Sequence, residues 1–339
     1  EKSSVRRLIE TADDIVVKGY DKSMSAGQLM DLAENGIFEI SQSRQKGKYV
    51  QIKDVLISNI EAIDRASKLE GGLTGVTTGF KDLDSRTSGF QRSDLIILAA
   101  RPAMGKTAFA LSVALNASIK GKASVMVFSM EMAKEQLGQR LLAMESKVEM
   151  QKLKTGKMER RDWDDVNIAL DTLSRANIYI DDTPALSIME MKSKCRRLKA
   201  EAELDLVIID YLQLMNPEGR SSESRTQEIS VITRNLKLLA RELDCPVIVL
   251  SQLSRNPEQR QDHRPMLSDL RESGSIEQDA DIVIFLYRDD YYNEDSQAPG
   301  ECEVILAKQR SGPTGTVKVA WLDKITKFVD SAGSGNMNY

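Results

Sequence analysis

Apolar residues recur at helical spacing early in the chain. Val5, Leu8, Ile9, Ala12, Ile15 and Val16 fall at i, i+3, i+4 and i+7, which predicts an amphipathic helix ended by Gly19-Tyr20-Asp21. A second stripe, Leu29, Ala33, Ile37 and Ile40, runs into the polar Ser43-Arg44-Gln45-Lys46-Gly47-Lys48. A third, Ile52, Leu56, Ile60 and Ile63, predicts a helix over about Ile52 to Leu69. A short helix with one apolar stripe is marginal alone and must dock on something. The second of these packs either on its own domain or on a neighbouring subunit. The glycine-rich Glu70-Gly71-Gly72-Leu73-Thr74-Gly75 then reads as a linker and the domain boundary.

Beyond the linker the pattern changes. Continuous apolar runs predict strands at Leu95–Ala100, Ser124–Ser129, Asn177–Ile180, Leu206–Ile209, Val247–Leu250 and Ile282–Leu286. Helical patterns lie between them, at Thr107–Ile119, Lys134–Glu145, Trp163–Leu173, Ile188–Ala200 and Thr226–Leu243. Apolar strands alternating with helices imply an α/β fold with a mostly parallel, twisted sheet covered on both faces. Glu303–Leu306 and Thr316–Val319 flank the turn-rich 309–315 and predict an antiparallel hairpin extending that sheet. The chain therefore divides into helical regions 1–47 and 48–75, an α/β domain 76–330 and a polar Gly/Ser tail, 331–339, expected to be disordered.

Composition removes several function classes. The 339 residues carry a net charge of −4, too little positive charge to coat nucleic acid or a membrane in bulk, so any nucleic-acid site must be local or shared between subunits. A single histidine, His263, excludes histidine triads and multi-histidine metal centres. Cys195, Cys245 and Cys302 are odd in number and widely spaced, as expected of reduced thiols in an intracellular protein, with no disulfide frame or zinc site. No apolar run approaches the roughly 18 residues of a membrane span, and Glu1 to Glu10 lacks a signal-peptide core.

Candidate chemistry begins at Arg101-Pro102-Ala103-Met104-Gly105-Lys106-Thr107-Ala108, directly after the first predicted strand. Strand, turn and Gly-Lys-Thr opening a helix describe a phosphate loop. Backbone N–H groups cradle phosphates, Lys106 reaches the β- and γ-phosphates, and the Thr107 hydroxyl binds Mg²⁺. The first glycine of the usual pattern is here Ala100. Ligands of open parallel sheets bind at the carboxyl ends of strands, which singles out three further groups. Asp210 ends Leu206-Val207-Ile208-Ile209 and is either a Mg²⁺-holding Walker B aspartate or a turn cap. Glu131, after the strand ending at Ser129, either activates the attacking water or serves the first turn of a helix. Gln252, after Val247-Ile248-Val249-Leu250-Ser251, is either a γ-phosphate sensor or a loop residue. Four strand-end groups in this order describe an ATPase with a RecA-like P-loop core.

The motifs Ala99–Thr107, Phe128-Ser129-Met130-Glu131-Met132, Val207–Leu214, Ser251–Arg255, Asp269–Asp281 and Ala307–Gly315 are similar to those of the DnaB-type bacterial and phage replicative DNA helicases. The likeness runs over about residues 1 to 330, and alanine at the Ala100 position is common in that family. It implies an ATP- and Mg²⁺-dependent homo-hexameric ring that moves 5′ to 3′ on single-stranded DNA and opens fork duplex. Primase, a helicase loader and other replisome proteins are its implied partners, in the cytoplasm at the nucleoid. Residue by residue it implies Glu131 as catalytic carboxylate, Arg140 against the base or ribose, and Gln252 coupling the γ-phosphate to DNA loops. Lys308 and Arg310 become trans-acting cations, Arg310 being the arginine finger. Placed in a turn between two strands, both are expected to point off the sheet edge, away from their own P-loop.

Arg271, Glu272 and Gly274 resemble the family's DNA-binding loop, in which Arg271 and backbone N–H groups near Gly274 hold phosphates and Glu272 orients Arg271 or receives a neighbour's cation. Asn216 to Arg225 would be a second central loop. Neither segment carries stacking aromatics, so binding should be phosphate-dominated, salt-sensitive and indifferent to sequence. The first 75 residues resemble the end of the family's N-terminal region and its linker helix, most of that region's globular domain being absent. This favours subunit bridging by the second helix. A RecA-like recombinase and a nucleotide-switched binding module are the competing classes. The Arg271–Asp281 loop argues against the first, and Glu131 with Arg310 argues against the second.

Overall fold

Six strands made almost wholly of Leu, Ile, Val and Ala form the centre of the larger of two units. The computed structural model describes residues 2–20, 26, 27, 29, 30, 32, 33, 36, 37, 49–68, 72–212, 225–270 and 274–331. Residues 1–68 with 189–194 make one unit, and residues 69–188 with 195–339 the other.

In the first unit, α1 spans Lys2–Tyr20 and α2 spans Ile52–Ser67. The stripes predicted for both are helical. Val5, Leu8, Ile9 and Val16 of α1, and Ile52, Leu56, Ile60 and Ile63 of α2, are each between 47% and 70% exposed. Leu29, Ala33 and Ile37 of the middle stripe are helical, while Ile40 and the basic stretch 43–48 lie outside the described residues.

The second unit holds β1 (Leu95–Ala100), β2 (Val125–Ser129), β3 (Ile178–Asp181), β4 (Leu206–Asp210), β5 (Val247–Gln252) and β6 (Ile282–Tyr287), followed by β7 (Glu301–Gln309), β8 (Gly315–Leu322) and β9 (Lys327–Asp330). They form one sheet in the order β3-β2-β4-β5-β1-β6-β7-β8-β9. The strands from β3 to β6 pair in parallel, and those from β6 to β9 antiparallel. Every residue of β1, β2, β4 and β6 is buried, as a sheet clad on both faces requires. β7 instead alternates, burying Cys302, Val304 and Leu306, which is the signature of one covered face. The helices are α3 (Lys81–Thr87), α4 (Lys106–Ile119), α5 (Lys134–Ser146), α6 (Met150–Thr155), α7 (Arg160–Ser174), α8 (Ile188–Glu201), α9 (Arg225–Leu243), α10 (Gly274–Asp279) and α11 (Asp289–Tyr292). Cys195, Cys245 and Cys302 are free and buried, and burial pushes all three thiols up, Cys245 and Cys302 to about 12.

Several features depart from the sequence reading, the short α10 and α11 among them. The hairpin does not finish the sheet, because β9 adds a further edge strand that the polar-ended Lys-Phe-Val-Asp does not announce. Both α3 and α6 are also unforeseen. The first buries only Leu83 and Thr87 and the second nothing, so neither shows a periodic stripe. The strand β9 packs onto the helix that opens at the predicted phosphate loop. Its Phe328 lies edge-on to Phe109 of α4 (ring centroids 5.5 Å apart), which stacks in turn on Phe80 at 5.1 Å. The Phe328 N–H donates to Ser112 Oγ at 3.1 Å, tying the last strand to the first helix after β1.

Candidate active site

The sharp turn after β1 is built from backbone conformations that most residues avoid. Ala103 (φ 65°) and Gly105 (φ 91°) both adopt the left-handed region, bracketing Met104. This alternation of hand turns successive N–H groups into a concavity suited to anions, and α4 starts on its rim. Gly105 is required twice over, for its φ and because a Cβ would lie 2.8 Å from the Phe328 ring. Ala100 needs no glycine. It is the buried last residue of β1, in register with Gln252 of β5.

Around the turn lies a cleft of about 350 Å³, lined by residues 100–103 and 105–108 with Glu131, Arg140, Gln252, Trp321 and Thr326. Thr107 Oγ1 donates to Asp210 Oδ2 at 2.7 Å. The other carboxylate oxygen, Oδ1, is buried without a hydrogen-bond partner. An anionic oxygen left bare in a 3%-exposed residue beside a hydroxyl suits a divalent cation or its water. The Lys106 ammonium sits 4.8 Å from the Tyr211 ring centroid. Burial holds both Lys106 and Arg140 below their ordinary pKa, while Asp210 and Glu131 oppose this. Neither cation has an ion-pair partner within 4 Å among the described residues, so an incoming polyphosphate would supply the missing negative charge.

Two side chains of the predicted loop are engaged by the protein itself. Met104 is 1% exposed and belongs to the core, outside the lining of the cleft. The Arg101 guanidinium is held by Glu258, at 2.6 and 2.9 Å, and by the Leu253 carbonyl at 2.9 Å. Trp321 and Thr326 were not foreseen. Trp321 lies near the end of β8 and Thr326 just before β9, which packs on α4, and no spacing near the P-loop signals that. A second cleft of about 330 Å³, lined in part by Arg92, Lys122, Asp205 and Asp244, has no phosphate loop.

Lys308 and Arg310 depart from expectation in one respect. Lys308 lies within β7, an interior strand, so the pair does not project off a sheet edge. Lys308 Nζ donates to the carbonyls of Glu277 (2.5 Å) and Ala280 (2.7 Å), and Arg310 Nη2 to that of Gln278 (2.6 Å). The carbonyl end of α10, with its partial negative charge, draws both cations inward. They do lie far from their own P-loop. β7 runs antiparallel to β6, placing Lys308 opposite Val283 and Gln309 opposite Ile282 at the amino end of the parallel strands. The phosphate turn is at the carboxyl end, about 20 Å away along the six residues of β1.

Residues 75–330 match the DnaB-like helicase C-terminal domain. The replicative DNA helicase DnaB of Geobacillus stearothermophilus is 53% identical over 330 residues, 97% of this chain and 73% of that protein. The chain belongs to the DnaB-like helicase family. The replicative DNA helicase DnaC of Bacillus subtilis (strain 168) is 51% identical over 97% of this chain and 73% of its own length. Among solved structures, a DnaB-like replicative helicase described with its interactions with primase (40% identity, TM-score 0.83) covers 97% of this chain and 76% of its own. DnaB-family helicases are hexameric and ATP-driven, so the chain is an ATP-dependent replicative DNA helicase with a RecA-like core.

Of the DNA-binding residues that the DnaB resemblance implies, Arg271 and Glu272 lie outside the described residues, as do residues 216–224 of the second loop. Gly274 is the first residue of α10, and Arg225 opens α9. No helix among the described residues is long and apolar enough to cross a membrane.

Near Arg310, Asp94 is pushed up to about 6, mostly by burial and then by the negative Asp281. An unfolded aspartate titrates near 3.8, so between that value and about 6 the folded chain holds a proton the unfolded chain has lost. The associated stability is fully present below pH ~3.8 and is lost as pH rises through ~6. The Asp94→Asn variant is therefore expected to melt about 2–4 °C above the wild type at pH 8, for about 1 kcal/mol after solvent screening. The two melting curves should converge near pH ~4, and a variant less stable at pH 8 would contradict the assignment.

Proposed function

We propose that this DnaB-family chain works as a ring of six subunits that moves 5′ to 3′ on single-stranded DNA and opens the duplex at replication forks. Hydrolysis takes place at sites shared between neighbours. The observation that carries the reading is the separation between the P-loop and Arg310, at opposite ends of the parallel strands. One subunit offers the phosphate turn and the next offers the cation, so a lone chain holds only half of each site.

In this reading the backbone from Ala103 to Ala108 cradles the phosphates of ATP, and Lys106 neutralises the β- and γ-oxygens. Arg140, with Trp321 nearby in the cleft, faces the base and ribose. Thr107 and Asp210 hold Mg²⁺, which supplies charge neutralisation on the phosphates; the bare Asp210 Oδ1 supports this. Glu131 takes a proton from the attacking water, and Gln252, beside Ala100 at the base of the turn, senses the γ-phosphate. Arg271, Glu272 and Gly274 bind DNA. The half-exposed stripes of α1 and α2 support contacts to adjacent subunits. Primase, a loader and other replisome proteins are the expected partners, at the nucleoid in the cytoplasm.

ATP hydrolysis per subunit, measured against protein concentration with and without single-stranded DNA, tests the shared site. The rate is expected to climb as rings assemble and to rise again with DNA, this second rise shrinking as salt releases the phosphate contacts. A rate per subunit that is flat with concentration and indifferent to DNA would overturn the reading.

A further inference from the structure

Arg310 is half-exposed and has a long, freely rotating side chain, yet its surroundings hold it in one place. Its own N–H donates to the Asp281 carbonyl at 3.0 Å, and its Nη1 lies 3.6 Å from Asp281 Oδ1. Asp281 is itself immobilised. Oδ2 accepts the Leu95 N–H at 2.8 Å and Lys237 Nζ at 2.5 Å, and Lys237 Nζ also donates to the Ser93 carbonyl at 2.8 Å. The Asp281 side chain is only 10% exposed, in a low-dielectric setting where such bonds are strong. A carboxylate fixed to the start of β1 thus holds one side of a guanidinium whose Nη2 is bonded to the Gln278 carbonyl at 2.6 Å.

We propose that Asp281 is the positioning residue for Arg310: anchored by Leu95 and Lys237, it sets the direction in which the finger reaches the neighbouring subunit's nucleotide. This rests on the reading of Arg310 as a trans-acting cation. Asp281 lies at the amino end of the parallel strands, away from its own subunit's phosphate turn. It acts by removing freedom from the arginine before the interface closes, so its loss is felt in turnover rather than in nucleotide binding. The Gln278 carbonyl, bonded to Arg310 Nη2 at 2.6 Å, is the second hold on the side chain, and Asp281 fixes its orientation about that bond.

Mixed rings separate positioning from mere structural support. Asp281→Asn keeps an oxygen for the Leu95 N–H and is expected to lower kcat by about 10-fold or more, with KM for ATP within about two-fold. The variant is then mixed with excess Glu131→Gln subunits, whose own sites are inactive but whose Arg310 and Asp281 are intact. If Asp281 acts through the finger, an Asp281→Asn P-loop facing a Glu131→Gln neighbour regains wild-type turnover. Arg310→Ala in the same mixture is the control. Recovery by Arg310→Ala but not by Asp281→Asn overturns the proposal and leaves the trans finger standing. Failure of both overturns the trans finger, and the proposal with it. Wild-type turnover by Asp281→Asn alone also overturns the proposal. Should Asp281→Asn fail to fold, Lys237→Met carries the test, since it leaves the carboxylate and its Leu95 bond in place. A several-fold loss recovered in the mixture supports the assignment, and an unchanged rate or an unrecovered loss refutes it.

Discussion

Arg310→Ala is expected to lower ATP turnover per subunit by about 10³-fold or more, the range that arginine fingers supply in phosphoryl transfer. Nucleotide affinity should move only a few-fold, because Arg310 lies at the amino end of the parallel strands and its own P-loop at the carboxyl end. Folding should also be spared. The side chain is half-exposed and its ion pair with Asp281 spans 3.6 Å, an arrangement worth about 0–1 kcal/mol to stability. Steady-state hydrolysis beside equilibrium binding of a fluorescent ATP analogue checks both halves of the expectation. A variant within ten-fold of wild-type turnover would remove Arg310 from the catalytic machinery. A variant that loses nucleotide binding in step with turnover would instead put the arginine in its own subunit's site.

Glu131→Gln should produce a different defect, ATP held but not cleaved. The side chain is exposed at the mouth of the cleft, and its replacement by a neutral amide of equal size removes a proton acceptor without creating a cavity. General-base groups contribute about 10²–10⁴-fold, so turnover should fall by that factor. ATP binding should persist or tighten, since Lys106 and Arg140 then face one carboxylate fewer beside the triphosphate. Single-turnover hydrolysis with the variant in excess over ATP separates chemistry from binding. An unaltered single-turnover rate would assign the proton to another group, and a loss of ATP binding would make Glu131 a structural residue of the cleft.

Much of the parallel half of the fold was legible because its strands are buried on both faces, and runs such as Leu-Ile-Ile-Leu-Ala-Ala have few other uses. The residues brought together in one subunit were legible for a related reason. A parallel sheet delivers the ends of β1, β2, β4 and β5 to one rim, so polar residues just past those apolar runs converge there. What stayed hidden depends on packing between segments remote in sequence. Trp321 and Thr326 join the cleft from the end of β8 and the turn before β9, more than 200 residues after the phosphate turn. The inward pull on Lys308 comes from carbonyls at the end of α10, which no side-chain pattern encodes. Met104, lying in the turn, could be read as a nucleotide contact until the core claimed its side chain. The substitution of Ala100 for the first glycine has its reason in β-strand pairing, since a residue still inside β1 has no use for a left-handed conformation.

Phe328 sets an order of events at the ribosome. Synthesis proceeds from the amino terminus, and the P-loop emerges long before β9. Until residues 327–330 have left the exit tunnel, Gly105 and Phe109 lack the aromatic ring that packs against them, and Ser112 lacks the Phe328 N–H. A nascent chain therefore carries the phosphate-binding sequence without a finished pocket. The capacity to hold ATP arrives only once β9 has been made, so a polypeptide lacking that strand is poorly equipped to occupy a place in the ring with nucleotide bound.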